Sequence, residues 1–174
     1  MISNSGMVST NDLVGPEEAK TVHPKRKQPI GERLANMALK QTYERDTICG
    51  HFSSYKSMIS SNDKILLTLK NQTGGLRIET LTFNGGIASD SLIGFEIAGN
   101  DHVFHPAKAT LLPYLNDIKN YANNEITYDL IEVSSTNVSN PEAVRYAFKT
   151  YAIGNLRNQC DLPVIPFRTD NWKE

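Results

Sequence analysis

The sequence predicts a mixed fold. Residues 1–46 read as a strand–loop–helix piece of an α/β domain, and residues 47–174 as an antiparallel β-sandwich-like module. Three observations predict it. Apolar residues recur at helical spacing just after Pro29, near the start of the chain. From Thr47 onward the pattern changes to short β-like runs divided by turn signals. One strand and one helix cannot bury two faces alone, so the front piece reads as the end of a larger α/β domain.

The elements follow in order. "GMVST", residues 6–10, is expected to form a short strand, with Met7 and Val8 suited to burial. "NDLVGPEEAKTV" is rich in turn formers and charge and reads as a loop. Proline has no N–H to donate, so Pro29 fits the first turn of a helix that starts near Lys27 and runs to about residue 43. Ile30, Leu34, Met37 or Ala38, and Gln41 keep helical spacing, and Ala35 and Leu39 widen the stripe. Glu32, Arg33, Asn36 and Lys40 are left for the wet face.

The β-like runs come next. "TICGHFSSYKSMIS" and "DKILLTLKN" are split by "SSND", with Ile65, Leu67 and Leu69 on one face, and "QTGG" is expected to close that hairpin. "LRIETLTFNGG", "LIGFEIAGND", "HVFHPAKATLL", "ITYDLIEVSS" and "EAVRYAFKTYA" are further strand candidates. In the last of these Arg145 and Tyr146 alternate, so one faces in. "YLNDIKNYANN" fits either a short helix or an irregular insertion. The tail "NLRNQCDLPVIPFRTDNW" reads as loop, because its prolines forbid regular ladder pairing.

Composition excludes several classes of function. With 174 residues and a formal net charge of -1, the chain carries no basic surplus for nucleic acid, and Lys25-Arg26-Lys27 reads as a solvated helix start. No apolar run approaches the ~20 residues that span a bilayer, and the first residues lack the pattern of a signal peptide. No nucleic-acid or membrane partner is therefore expected. Cys49 and Cys160 are too few for a disulfide framework and too distant for a local metal knuckle. Two buried free thiols is the preferred reading, with pairing the alternative in an exported protein. His102 and His105 would point to opposite faces of a strand, and no thiolate or carboxylate set completes a metal site, so no metal or other cofactor is expected.

"NSGMV", "VHPKRKQPIGERLA", "GFEIAGND", "FHPAKA", "NPEAVRYAF", "GN" and "LPVIPFRTDNW" fall in one order from about Asn4 to Trp172. Together they resemble the C-terminal portion of bacterial sialate O-acetylesterases, in the wider SGNH-hydrolase superfamily. The resemblance implies that residues 1–46 are the end of a flavodoxin-like α/β domain carrying a Ser-His-Asp type site. The serine of that family comes early and the histidine late, on the loop between the last strand and the last helix. His23, followed by Pro24 and then the helix, occupies that place. A neutral imidazole there would take the proton of a serine hydroxyl. The implied substrate is an O-acetylated sugar, and the implied compartment is periplasmic or extracellular.

Two departures follow. The superfamily often places the acid two or three residues before the histidine, where this chain has Thr21 and Lys20. Asp12 ranks first as the acid partner, with Glu17, Glu18 or an orienting backbone carbonyl as the alternatives. The family's early serine block and oxyanion glycine and asparagine have no counterpart in these residues. Ser89 and Ser91 lack the G-x-S-x-G spacing and read as turn residues. The chain alone is therefore expected not to hydrolyse esters, with the missing N-terminal half of the SGNH domain as its partner. Arg168, with Asp170 and Trp172, reads as an ion-paired terminus returning to the α/β piece, or as a substrate contact. Acetylxylan or another acetylated polysaccharide is the alternative substrate. A non-catalytic carbohydrate-binding β-module is the alternative from another class.

Overall fold

The computed structural model describes residues 5–21, 23–71, 74–80, 91–113 and 128–173. One α-helix, α1 (Gln28–Gln41), follows two short 3-10 turns, Asn11–Leu13 and Pro16–Glu18. Among the described residues ten strands follow: β1 (Ser54–Ser61), β2 (Lys64–Lys70), β3 (Leu76–Ile78), β4 (Phe95–Ala98), β5 (His105–Pro106), β6 (Lys108–Pro113), β7 (Tyr128–Ser134), β8 (Ala143–Tyr146), β9 (Leu156–Asn158) and β10 (Phe167–Arg168). One four-stranded sheet has the order β1-β2-β7-β6, a second β10-β8-β4-β5, and β3 pairs with β9. Every described pairing is antiparallel.

Alternation builds the core. In β2, Ile65, Leu67 and Leu69 are buried as their spacing predicts, and β7 adds Ile131 and Val133 from the neighbouring strand. The second sheet contributes Phe95, Ile97, Val144, Tyr146 and Phe167 to the same cluster. Tyr146 is the inward member of the Arg145–Tyr146 pair. Its phenol oxygen accepts the Leu156 N–H at 3.0 Å inside the core. Tyr146→Phe strands that donor, and an unpaired buried N–H costs about 1–3 kcal/mol. Urea denaturation of the variant is expected to show a loss in that range.

Several expectations are corrected. The first hairpin closes at Asn62-Asp63, where Asn62 takes a left-handed φ of 53°. "QTGG" closes no hairpin between β2 and β3: β2 pairs with β7 on its other edge, and β3 pairs with β9; Gln72 and Thr73 lie outside the described residues. Residues 6–10 form no strand, and Met7 is 73% exposed. An extended segment becomes a strand only beside a neighbour that takes its ladder bonds, and none of the described strands lies there. The tail is more regular than its prolines suggest. β9 forms before Pro163 and β10 after Pro166, so both prolines stay outside the two strands, and Pro163 takes part only in an isolated bridge with Arg157. The candidate run "YLNDIKNYANN", the residues 81–86 of "LRIETLTFNGG" and Ser89 lie outside the described residues.

Helix α1 begins where Pro29 predicts but turns an unexpected face inward. Arg33, assigned to the wet face, is its buried residue at 9% exposure, whereas Leu34 is 45% exposed. Ionic partners outweigh the apolar stripe: Arg33 Nη1 donates to Ser9 O and Asp12 Oδ1, both at 2.7 Å, and Nη2 to Asp12 Oδ2 at 2.5 Å. At the far end Thr42 N–H returns to Ala38 O, and Glu44 adopts a left-handed φ of 51° that ends the helix.

Cys49 and Cys160 form a disulfide, which corrects the reading as free thiols. Their Cα atoms stand 5.7 Å apart across a sequence separation of 111 residues. Spacing along the chain cannot reveal that contact, because it is made by folding β9 back toward the end of α1. Closing so long a loop restricts the unfolded chain. Cys49→Ala is expected to lower stability by about 2–4 kcal/mol in denaturant, and reductant is expected to have no further effect on the variant.

Candidate active site

The loop between the 3-10 turns and α1 is held by Glu18. This buried carboxylate accepts the Lys25 N–H at 2.9 Å on Oε1, and the Gly15 N–H at 3.5 Å on Oε2. The Glu18 carbonyl also accepts the Thr21 N–H at 2.8 Å. Both sides of the loop are therefore tied to one residue, and His23 sits at the exposed tip between them. Its N–H donates to Thr21 Oγ1 at 3.2 Å. The structure thus sets His23 on a braced turn directly before a helix, with its imidazole outward. Glu18, one of the alternative acids, serves as the brace.

Asp12 is placed elsewhere. Both of its oxygens bond guanidinium groups: Arg33 takes Oδ1 and Oδ2, and Arg157 Nη2 donates to Oδ2 at 2.9 Å. No hydrogen bond joins Asp12 to His23 among the described residues. Burial alone would raise the Asp12 pKa, but hydrogen bonds and charge from Arg33 and Arg157 outweigh it and hold the carboxyl below its ordinary value. Arg157 belongs to β9, and it also reaches Glu79 Oε2 at 2.6 Å and Asp161 O at 2.6 Å. The cluster joins residues 1–46 to the β-module. It lines a cavity of about 550 Å³ together with Arg26 and Glu32 of the helix start.

Arg168 lies in β10. It donates to Asp170 O at 3.1 Å and Trp172 O at 2.7 Å, and pairs with the Asp170 carboxylate. Arg145 pairs with the same carboxylate at 3.1 Å. Burial raises the Asp170 pKa, yet bonds and charge from Arg145 and Arg168 dominate and lower it. Trp172 stacks on His102 at 3.8 Å, and Arg145 lies 4.0 Å from the Phe104 ring centre. The Asp170 and Trp172 contacts fasten β10 and the tail to β8 and the 102–104 loop.

Residues that the sequence reading passed over complete the picture. A cavity of about 780 Å³ opens between the His23 loop and the chain after β8. Thr10 and Thr21 line it from the front piece, and Arg145, Phe148, Lys149 and Tyr151 from the module. Phe148 is 40% exposed. The positive groups on this wall are paired, Arg145 with Asp170 and Lys149 with Glu96 at 2.6 Å. Two buried asparagines hold the tail in shape. Asn155 bonds Glu79 O, Ser91 O and the Ile93 N–H, and Asn158 bonds His51 O and the N–H groups of Cys160 and Leu162. Their side chains replace ladder bonds that a loop cannot make, a role for which an isolated Asn in a sequence gives no signal.

No family model matches the sequence. No curated protein matches it either. Among solved structures, the chain is similar to a carbohydrate acetylesterase from Xanthomonas citri, with 32% sequence identity and a TM-score of 0.70. The likeness covers 92% of this chain and 31% of that enzyme's chain, so this chain spans less than a third of the length of that solved relative.

Proposed function

We propose that this chain is the C-terminal part of a serine carbohydrate esterase that removes O-acetyl groups from sugars, with His23 as the general base. The observation that carries the reading is the 32% identity to a carbohydrate acetylesterase over 92% of the chain. The braced position of His23 supports it. The imidazole takes the proton from a serine hydroxyl as that oxygen attacks the acetyl carbonyl, then returns it to the departing sugar oxygen. Asp12 is committed to two arginines and Glu18 to main-chain donors, so Glu17 or a backbone carbonyl is left to orient the ring. The serine and the oxyanion donors come from the rest of an SGNH domain outside these residues. Exposed Met7, Leu34 and Tyr43 on the front piece support a neighbour there. The disulfide supports a periplasmic or extracellular setting.

The finer substrate reading is sialate O-acetyl groups, from the resemblance of the motifs. A second reading, the acetyl groups of a neutral polysaccharide such as xylan, is favoured by the paired charges of the large cavity. A sialate carboxylate asks for a cation, and Arg145 and Lys149 there already face carboxylates. The test is hydrolysis of an aryl acetate by this chain, alone and together with the serine-bearing polypeptide. Activity only in the combination, lost on His23→Ala, is the expected result. Activity of the isolated chain would overturn it.

A further inference from the structure

The cavity beside the His23 loop has features that the hydrolytic step does not use. Phe148 presents an exposed aromatic ring on its wall. The guanidinium carbons of Arg145 and Arg168 lie 5.9 and 5.6 Å from that ring's centre, so the ring is held in place by its neighbours. An exposed ring so supported offers a flat apolar surface at little cost in side-chain entropy. Tyr151 lines the same cavity, and its hydroxyl is buried with no hydrogen-bond partner among the described residues. Such a group calls for a partner. Thr10 and Thr21 add hydroxyls on the opposite wall, and Thr21 bonds the His23 N–H.

An aromatic face, scattered hydroxyls and neutralised charges suit one class of ligand. A neutral pyranose has an apolar C–H face and a rim of hydroxyl groups. A carboxylate-bearing sugar would meet cations already paired with Asp170 and Glu96. We propose that this cavity is a glycan subsite that seats a neutral sugar residue of the substrate beside the catalytic loop, with Phe148 stacking on the ring and Tyr151 bonding a hydroxyl. The inference rests on the esterase reading for its substrate, but its site is independent of His23 chemistry. Phe148 and Tyr151 are positioning residues that bind and orient the sugar. They take no part in proton transfer.

The test is an NMR titration of the chain with acetylated xylo-oligosaccharide, and separately with N-acetylneuraminic acid. The expected result is that the neutral oligosaccharide shifts the amides of Thr21, Phe148 and Tyr151, while the acidic sugar binds about tenfold more weakly. Phe148→Ala is expected to weaken binding about tenfold, and Tyr151→Phe about fivefold, with the remaining spectrum unchanged. Equal affinity in both variants, shifts confined to other surfaces, or tighter binding of the acidic sugar would each overturn the subsite. The two ideas fail separately. Hydrolysis that depends on His23 beside sugar binding indifferent to Phe148 refutes the subsite and keeps the esterase. Sugar binding at Phe148 with hydrolysis indifferent to His23 does the reverse.

Discussion

Asp12→Asn is expected to destabilise the protein by about 3–5 kcal/mol, the cost of removing one partner from a buried ionic cluster. The Asp12 side chain is 5% exposed, and Arg33 and Arg157 are nearly as buried. Without the carboxylate, two guanidinium groups face each other with Glu79, the more distant Asp161 carboxylate and main-chain oxygens to balance them among the described residues. Most of the loss comes from those stranded charges, because the pair itself contributes little beyond its desolvation cost. The damage is also directional. Asp12 belongs to the front piece and Arg157 to β9, so the substitution loosens the seam that sets the His23 loop against the module. Urea denaturation at neutral pH measures the total. Hydrogen exchange is expected to locate it, with faster exchange in α1 and in residues 9–21 and little change in β2 and β7.

The same cluster sets a pH dependence. The folded Asp12 carboxyl is held below its ordinary value of 3.8. A depressed folded pKa means that the unfolded chain binds the proton more tightly. The stabilisation is then fully present above about pH 4 and is lost as pH falls through the lower folded value. Asp170, depressed by Arg145 and Arg168, adds a contribution of the same sign. The wild type is expected to lose stability on acidification below pH 4, and Asp12→Asn is expected to show a shallower loss. An equal slope in the two proteins would mean that Asp12 carries no part of the acid response.

The particular residues show where a sequence can be read and where it cannot. β2 was legible because Ile65, Leu67 and Leu69 repeat at period two, a local property of a strand with one buried face. The start of α1 was legible because Pro29 restricts it locally. The inward face of that helix was not. Arg33 is buried by Asp12, 21 residues earlier, and by the nearby Arg157, and no periodicity encodes a pair chosen by tertiary contact. The disulfide was not legible for the same reason, since its partners meet only when the turn after β9 comes beside the chain that follows α1. His23 was legible as a candidate because its motif is contiguous. Its orienting group was not, because the nearby carboxylates of Asp12 and Glu18 are taken by guanidinium and main-chain donors that lie 3 to 145 residues away. Phe148 and Tyr151 carried no signal at all. An aromatic residue after a strand is as often core as surface, and only the fold shows that a cavity opens beside them.

His23→Ala is expected to lower kcat for acetyl ester hydrolysis roughly 100- to 10,000-fold, the range for removing a general base. The measurement uses the chain combined with the polypeptide that bears the serine. KM is expected to stay nearly constant, because the imidazole acts on the transferring proton and not on the bound sugar. Stability is expected to change by less than about 0.5 kcal/mol, since the ring is exposed and makes no hydrogen bond among the described residues. That combination separates two roles the loop could have. If His23 merely packed the front piece, its removal would lower stability and rate and raise KM. A histidine that moves a proton lowers kcat alone. His23→Asn sharpens the contrast, because the amide keeps a polar group of similar reach but cannot accept and return a proton at neutral pH. If the asparagine variant retains full rate, the hydroxyl is activated by some other group, and the braced turn after Thr21 holds His23 for a purpose other than base catalysis.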